Sequence, residues 1–177
     1  MNLSHLPMPR FIKQEYWSIS GILWLLSSPL ISSANAPELL IHTHNGLHSF
    51  KVTTATCEHE QHNGLQGWNH LAINEGMLFV YPEPTQRPFW MKHISIPLDI
   101  LFIDSDNLIV DIIQQTVPGA ETPLIASKPF IAAFEVNAGS ADRLGIRKGD
   151  NISTPAYRLT QSFDPYGSIG PCQSQHE

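Results

Sequence analysis

Apolar and polar residues alternate through Leu39–Thr54 (LLIHTHNGLHSFKVTT). Because successive side chains on a strand point to opposite faces, this alternation predicts two strands that form a hairpin. Asn45-Gly46 is the expected tight turn, and it would pair Ile41 with Phe50. The two faces of the hairpin would then be an apolar one of Leu39, Ile41, Phe50 and Val52, and a solvent-facing one of His42, His44, Ser49 and Lys51.

The rest of the chain predicts short strands and two short helices. Thr56–Leu65 begins with a capping residue and meets a stop at Gly64, and Ser140–Leu144 is a single helical turn that stops at Gly145. Proline-punctuated apolar runs predict strands at Met77–Tyr81, Phe89–Ile94, Leu98–Ile103, Leu108–Ile113 and Phe130–Val136, with a last short strand after Gly149-Asp150. The expected fold is a mostly β, single-domain β-sandwich, jelly-roll-like structure or barrel with one or two short helices.

The two ends of the chain differ from its middle. Residues 1–36 have the three parts of a signal peptide: basic residues, the apolar run Ile19–Ile31, and the small residues Ser32–Ala36. The apolar run is shorter than the roughly 20 residues of a membrane span, although an uncleaved anchor is an alternative. We therefore predict a signal peptide at 1–36, a β domain at 37–153 and a loosely ordered tail at 154–177. The expected location is the periplasm or the medium, with no stable membrane span after cleavage.

The net charge bears on which molecules the chain can bind, and the cysteines bear on whether it can form a disulfide. The chain of 177 residues has a formal net charge of −6, and without its first 36 residues the charge is −7. Such a surface repels phosphate backbones, so we expect no nucleic acid partner. The two cysteines, Cys57 and Cys172, could form one disulfide in an oxidising compartment or remain two unrelated thiols.

Three segments resemble a bacterial and archaeal family known as domain of unknown function 192. They are NEGMLFVYPEP (Asn74–Pro84), FWMKHISIPLDILFID (Phe89–Asp104) and EVNAGSADRLGIRKGD (Glu135–Asp150), and the likeness covers about Phe50 to Ile152. The resemblance implies a small, mostly β domain of sandwich or jelly-roll type that is often exported. It implies no activity.

One segment departs from the pattern that the resemblance implies. Members of the family usually carry arginines and a methionine before the glycine-methionine-leucine-phenylalanine strand, where this chain has EQHNGLQGWNHL (Glu60–Leu71). If the family's arginines bind an anion, this chain has lost or altered that property. Gln61, Asn63 and Trp68 stand in the places of the arginines, Gln66 replaces the methionine, and His93 follows Lys92 where the family tends to have asparagine.

The run FWMKH is the main candidate for a binding site. On a strand, Trp90, Lys92 and Ile94 would share one side, and Phe89, Met91 and His93 the other. Trp90 could act as a platform and Lys92 as an anchor for an anion or a hydrogen bond. The alternative is an ordinary surface pair, with Lys92 held by Asp99 or Glu83. The candidate ligand-binding residues are Trp90, Lys92, Asp99, Met77, Met91 and His93.

Asp99 and the histidines each allow a structural interpretation as well as a catalytic or metal-binding one. Asp99 opens an apolar strand, where it could serve as a general base, but such a carboxylate more often holds a loop in place. Seven histidines lie between positions 42 and 93, yet His48 falls on the opposite face from His42 and His44. We therefore predict no metal and no cofactor.

Three functions are consistent with these patterns. The first is a small binding module of the cell envelope, a monomer that holds a small ligand or a segment of an envelope protein. The second is a hydrolase or isomerase that uses Lys92 and Asp99. The third is a purely structural or interaction domain. Whether the protein is an enzyme stays open at this point.

Overall fold

The computed structural model describes residues 38–154. The predicted signal peptide lies outside these residues, as do all of the predicted tail except Thr154 and Cys172 of the proposed disulfide. No helix within 38–154 is long and apolar enough to cross a membrane. The elements in chain order are β1 (Glu38–Thr43), β2 (Gly46–Ala55), α1 (Glu58–Asn63), β3 (Glu75–Thr85), β4 (Leu98–Ile103), β5 (Ile109–Ile113), β6 (Phe130–Asn137), α2 (Ser140–Leu144) and β7 (Asn151–Ser153).

The seven strands form one curled sheet. Their order is β5-β4-β6-β3-β2-β1-β7, and every pair is antiparallel except β2 and β3. Helix α1 is the crossover that the parallel pair requires. The two edge strands approach each other through a bridge between Leu108 and Asn151 and a hydrogen bond from the Ile109 amide to the Asp150 carbonyl. The predicted mostly β fold with two short helices is confirmed, and its form is a half-barrel.

The hairpin has the predicted faces but a different register. Thr43 pairs with Gly46 and Leu39 with Phe50, so the turn is His44-Asn45 and every pairing is shifted by two residues. The Thr43 hydroxyl stabilises this turn, since it accepts the Asn45 amide and donates to the Gly46 carbonyl. A shift of two preserves the faces. The predicted apolar residues Leu39, Ile41, Phe50 and Val52 are all buried.

Both faces of the central strands are buried. The concave face encloses one apolar cluster, which includes Phe50, Leu101 and Phe134. The convex face carries a second cluster, which includes Phe79, Phe89 and Phe102, under α1 and the segments between strands. Strands buried on both faces read as continuous apolar runs, which explains why β4 and β6 were recognisable from composition alone. The second cluster is the wall behind the candidate site.

The predicted strand Phe89–Ile94 is wrong. Only Phe89 makes a β-bridge, to Leu124, and Lys92-His93 form a turn in which His93 has φ of 62°. The predicted alternation therefore holds from Phe89 to Lys92 and then inverts. Ile94 is buried and His93 is exposed, because the turn shifts the alternation of buried and exposed side chains by one residue.

Candidate functional site

A cavity of about 470 Å³ opens on the convex side of the sheet, beside Trp90. This volume lies within the range of small-molecule sites. One wall is α1 with the loop that follows it, a second is β3, and a third is the segment 88–94. The lining residues fall into a polar group of Gln61, His62, Asn63, Gln66, Lys92, His93 and Glu135, and an apolar or aromatic group of Gly64, Leu65, Phe79, Tyr81, Pro88, Phe89, Trp90 and Ile94.

Helix α1 is held on the sheet in a way that fixes the cavity wall. Its N-terminus is capped by the Glu60 carboxylate, which accepts the amides of Thr56 at 2.8 Å and of Cys57 at 3.3 Å, and the helix ends at Gly64 with φ of 48°. The Gln61 side chain donates to the Val80 carbonyl at 2.8 Å. Gln61 therefore ties the helix to β3 and limits how far the cavity can close.

Glu135 lies on the lining of the cavity, from strand β6. Its cross-strand neighbours are Met77 on β3 and Ile100 on β4, both buried and apolar. The residue is only 5 % exposed, and its carboxyl makes no hydrogen bond or ion pair with any residue in 38–154. Burial raises the pKa of Glu135 to about 8, because the ionised form loses its hydration.

Tyr81 brings a second perturbed group to the same wall. Burial raises the pKa of Tyr81 to about 12, the Arg87 guanidinium opposes that shift, and the Glu135 carboxylate adds to it. The Arg87 guanidinium carbon lies 5.8 Å from the centre of the Tyr81 ring. The phenol therefore stays protonated and can donate a hydrogen bond into the site at neutral pH.

The exposed members of the FWMKH run lie at the rim. Trp90 is 52 % exposed, and Lys92 forms an exposed ion pair with Glu121 at 3.4 Å. His93 also lines the cavity. The structure therefore brings three of the predicted site residues, Trp90, Lys92 and His93, together on the lining of one cavity.

The other three predicted site residues are not cavity-lining. Met77 and Met91 are buried in the convex-face cluster. Asp99 is fully buried, and its two carboxylate oxygens accept the amides of Gln115 and Ala141, each at 2.9 Å. Asp99 therefore joins β4 to a loop and to α2, and it is not among the residues that line the cavity beside Lys92.

Metal-ligand geometry is absent from the part of the chain that the structure describes, where no three His, Cys, Asp or Glu side chains converge. Several histidines have local partners instead. The His42 ring pairs with the Ser153 hydroxyl at 3.0 Å, and the His48 ring with the Thr43 hydroxyl at 3.2 Å.

Comparison with known proteins agrees with the sequence resemblance. The family domain of unknown function 192, described as an uncharacterised ACR, matches residues 40–154. The chain belongs to this family.

Two solved structures of this fold are similar to the chain. One is a protein of unknown function from Novosphingobium aromaticivorans, with 38 % identity over 66 % of this chain and 83 % of that chain, at a TM-score of 0.64. The other, from Sinorhizobium meliloti, is described as a candidate transcription regulator, with 32 % identity over 68 % of this chain and 95 % of that chain, at a TM-score of 0.66. None of the curated proteins matches.

The departures from the domain of unknown function 192 pattern fall mostly on the cavity wall. Gln61, Asn63 and Gln66 line the cavity, whereas Trp68 packs against the convex-face cluster. The changed residues therefore alter the polar lining of the cavity and leave its aromatic walls in place.

Sequence reasoning missed Glu135 and Tyr81. A signal for Glu135 was present, because it is the only charged residue in the apolar strand FIAAFEVN. A lone carboxyl in such a strand must be buried with partners or face a cavity. Tyr81 carried no comparable signal, since a tyrosine ends many apolar strands.

Proposed function

We propose that this protein is an exported binding module that holds a small ligand in the cavity beside Trp90. The observation that carries the proposal is the combination of aromatic walls with a buried carboxyl that has no partner among residues 38–154. Small-molecule sites have this composition: mostly apolar lining with a few polar groups that fix orientation. Among residues 38–154 no fully buried side-chain oxygen lacks a hydrogen-bond partner, so the carboxyl of Glu135, which has no such partner, is open to the cavity, where a ligand can contact it.

Export is supported by the sequence at the start of the chain. The basic residues Arg10 and Lys13, the apolar run and the small residues before position 37 form a signal-peptide pattern. A module in the cell envelope would meet ligands from the medium. Cell fractionation with N-terminal sequencing of the recovered protein tests this part of the proposal.

The other functional classes have weaker support. A hydrolase or isomerase with Lys92 and Asp99 as its acid and base needs both groups in one cavity, and Asp99 is not part of the lining. A role in transcription, as described for the Sinorhizobium relative, would require a basic surface for DNA, whereas this chain has a net charge of −6.

The decisive experiment observes Trp90 directly. The protein is labelled with 5-fluorotryptophan, and Trp90→Phe identifies the Trp90 line in the ¹⁹F NMR spectrum. Titration with a panel of amines, sugars, amino acids and carboxylates should shift the Trp90 line and leave the line of Trp68, which lies outside the cavity lining, unchanged. A Trp90 line that no compound class moves would contradict the proposal.

Lys92→Ala should leave the fold intact. The pair of Lys92 with Glu121 is exposed on both sides, and such pairs contribute about 0 to 1 kcal/mol. We expect the free energy of unfolding in urea to change by less than about 0.5 kcal/mol. A loss of several kcal/mol would show that Lys92 supports the loop, and an altered response of the Trp90 line would place Lys92 in ligand binding.

A further inference from the structure

We infer that the cavity takes an organic amine, whose ammonium group binds the Glu135 carboxylate while its apolar part lies against the aromatic walls. This inference rests on the proposed function and adds the chemical class of the ligand. Glu135 is only 5 % exposed and lines a cavity of about 470 Å³.

The protein itself supplies no cation for Glu135 within residues 38–154. The lining contains one lysine and no arginine, and that lysine, Lys92, pairs with Glu121 at the rim. Arg87 lies over the ring of Tyr81 and makes no ion pair with Glu135. A buried carboxylate needs an opposite charge and hydrogen-bond donors, and a bound ammonium group provides both.

The aromatic walls suit the same ligand class. Phe79, Phe89, Tyr81 and Trp90 all contribute to the lining. The negative faces of aromatic rings attract ammonium groups, and the attraction grows when the site is desolvated. The negative net charge of the chain also raises the local concentration of cations. Three independent features therefore favour a cation over an anion.

Binding should release a proton. Because burial raises the pKa of Glu135 to about 8, the free site holds a neutral carboxyl at pH 7. When the ammonium binds, that proton leaves to solvent and an ammonium–carboxylate pair forms, so no other reactant is needed. The other titratable groups that face the cavity are His62 from α1, Tyr81 from β3, and Lys92 and His93 from the turn.

A series of three probes of nearly equal shape tests the charge of the ligand. Benzylammonium, benzyl alcohol and benzoate are titrated into the full chain at pH 7, with the fluorotryptophan line of Trp90 as the readout. We expect benzylammonium to bind about tenfold more tightly than benzyl alcohol, and benzoate to bind most weakly. Between pH 6 and pH 7 the affinity for benzylammonium should rise by up to about tenfold, since one proton is released.

Glu135→Gln is the matched variant, because it keeps the shape of the side chain and removes its charge. It should lose the tenfold preference for benzylammonium and the pH dependence, while its affinity for benzyl alcohol stays unchanged. Retained binding of benzyl alcohol shows that the variant is folded. The pH series on the unaltered protein needs no variant at all.

The outcomes separate the two proposals. If benzyl alcohol or benzoate binds as tightly as benzylammonium, or if Glu135→Gln binds the amine normally, the amine inference is overturned and the ligand cavity stands. If none of these probes, and no compound of the wider panel, moves the Trp90 line, the proposed function itself is overturned.

Discussion

Replacing Glu135 with glutamine should make the protein more stable at pH 9 than the unaltered chain, and the advantage should vanish towards pH 5. Burial raises the pKa of Glu135 from 4.5 to about 8. Between these values the folded protein keeps a proton that the unfolded chain has lost, so stability falls as pH rises. The stability that the folded protein gains by keeping Glu135 protonated is fully present below pH 4.5 and is lost above pH 8. Over this window the difference in the free energy of unfolding is at most about 5 kcal/mol, because each unit of pKa shift corresponds to about 1.4 kcal/mol.

The measurement is urea unfolding of both proteins at pH 5, 7 and 9. Glu83→Gln serves as the control, because it removes one carboxylate from an exposed position on β3 and so reproduces the change in net charge. A stability difference between Glu135→Gln and the unaltered chain that stays constant over this pH range would show that Glu135 is not desolvated as the structure indicates.

Those strands of the sheet that are buried could be predicted, because a buried strand must consist of apolar residues. β4 and α2 have the predicted bounds, since an apolar run or a helix between a serine and a glycine leaves few alternatives. The register of the hairpin was not predictable, because a shift of two residues keeps every side chain on its face. The choice depended on Thr43, whose hydroxyl favours a turn one position earlier than Asn45-Gly46.

The candidate site was predictable only at its rim. Trp90 and Lys92 were recognisable because the FWMK run is specific to the resemblance, and they do line the cavity. The strand geometry behind that prediction failed at His93, where a positive φ turns the chain. Glu135 comes to the same cavity from more than forty positions away, through the pairing of β6 with β3. Long-range pairing of this kind is not encoded in local periodicity.

Asp99→Ala should destabilise the domain by roughly 3 to 5 kcal/mol. The side chain is fully buried, and its oxygens accept the amides of Gln115, which has φ of 52°, and Ala141 in the first turn of α2. Alanine would leave both amides without an acceptor and would release two segments from β4. Two hydrogen bonds between Leu98 and Thr116 remain in this variant. They cannot replace the lost bonds, because they hold Thr116 and give no acceptor to the amide of Gln115.

Asp99→Asn separates this structural role from a catalytic one. Asparagine keeps one acceptor oxygen but turns its NH2 group, which can only donate, towards the other backbone amide, so we expect it to recover less than half of the lost free energy of unfolding. Urea unfolding measures the stability, and the ¹⁹F line of Trp90 reports whether the cavity is affected. If Asp99 served as a base in the cavity, both variants would keep the stability of the unaltered chain and would change the response of Trp90 to ligands. The two amide bonds to Asp99 predict the opposite result: a large loss of stability for alanine, a smaller loss for asparagine, and normal ligand response in the folded fraction of both.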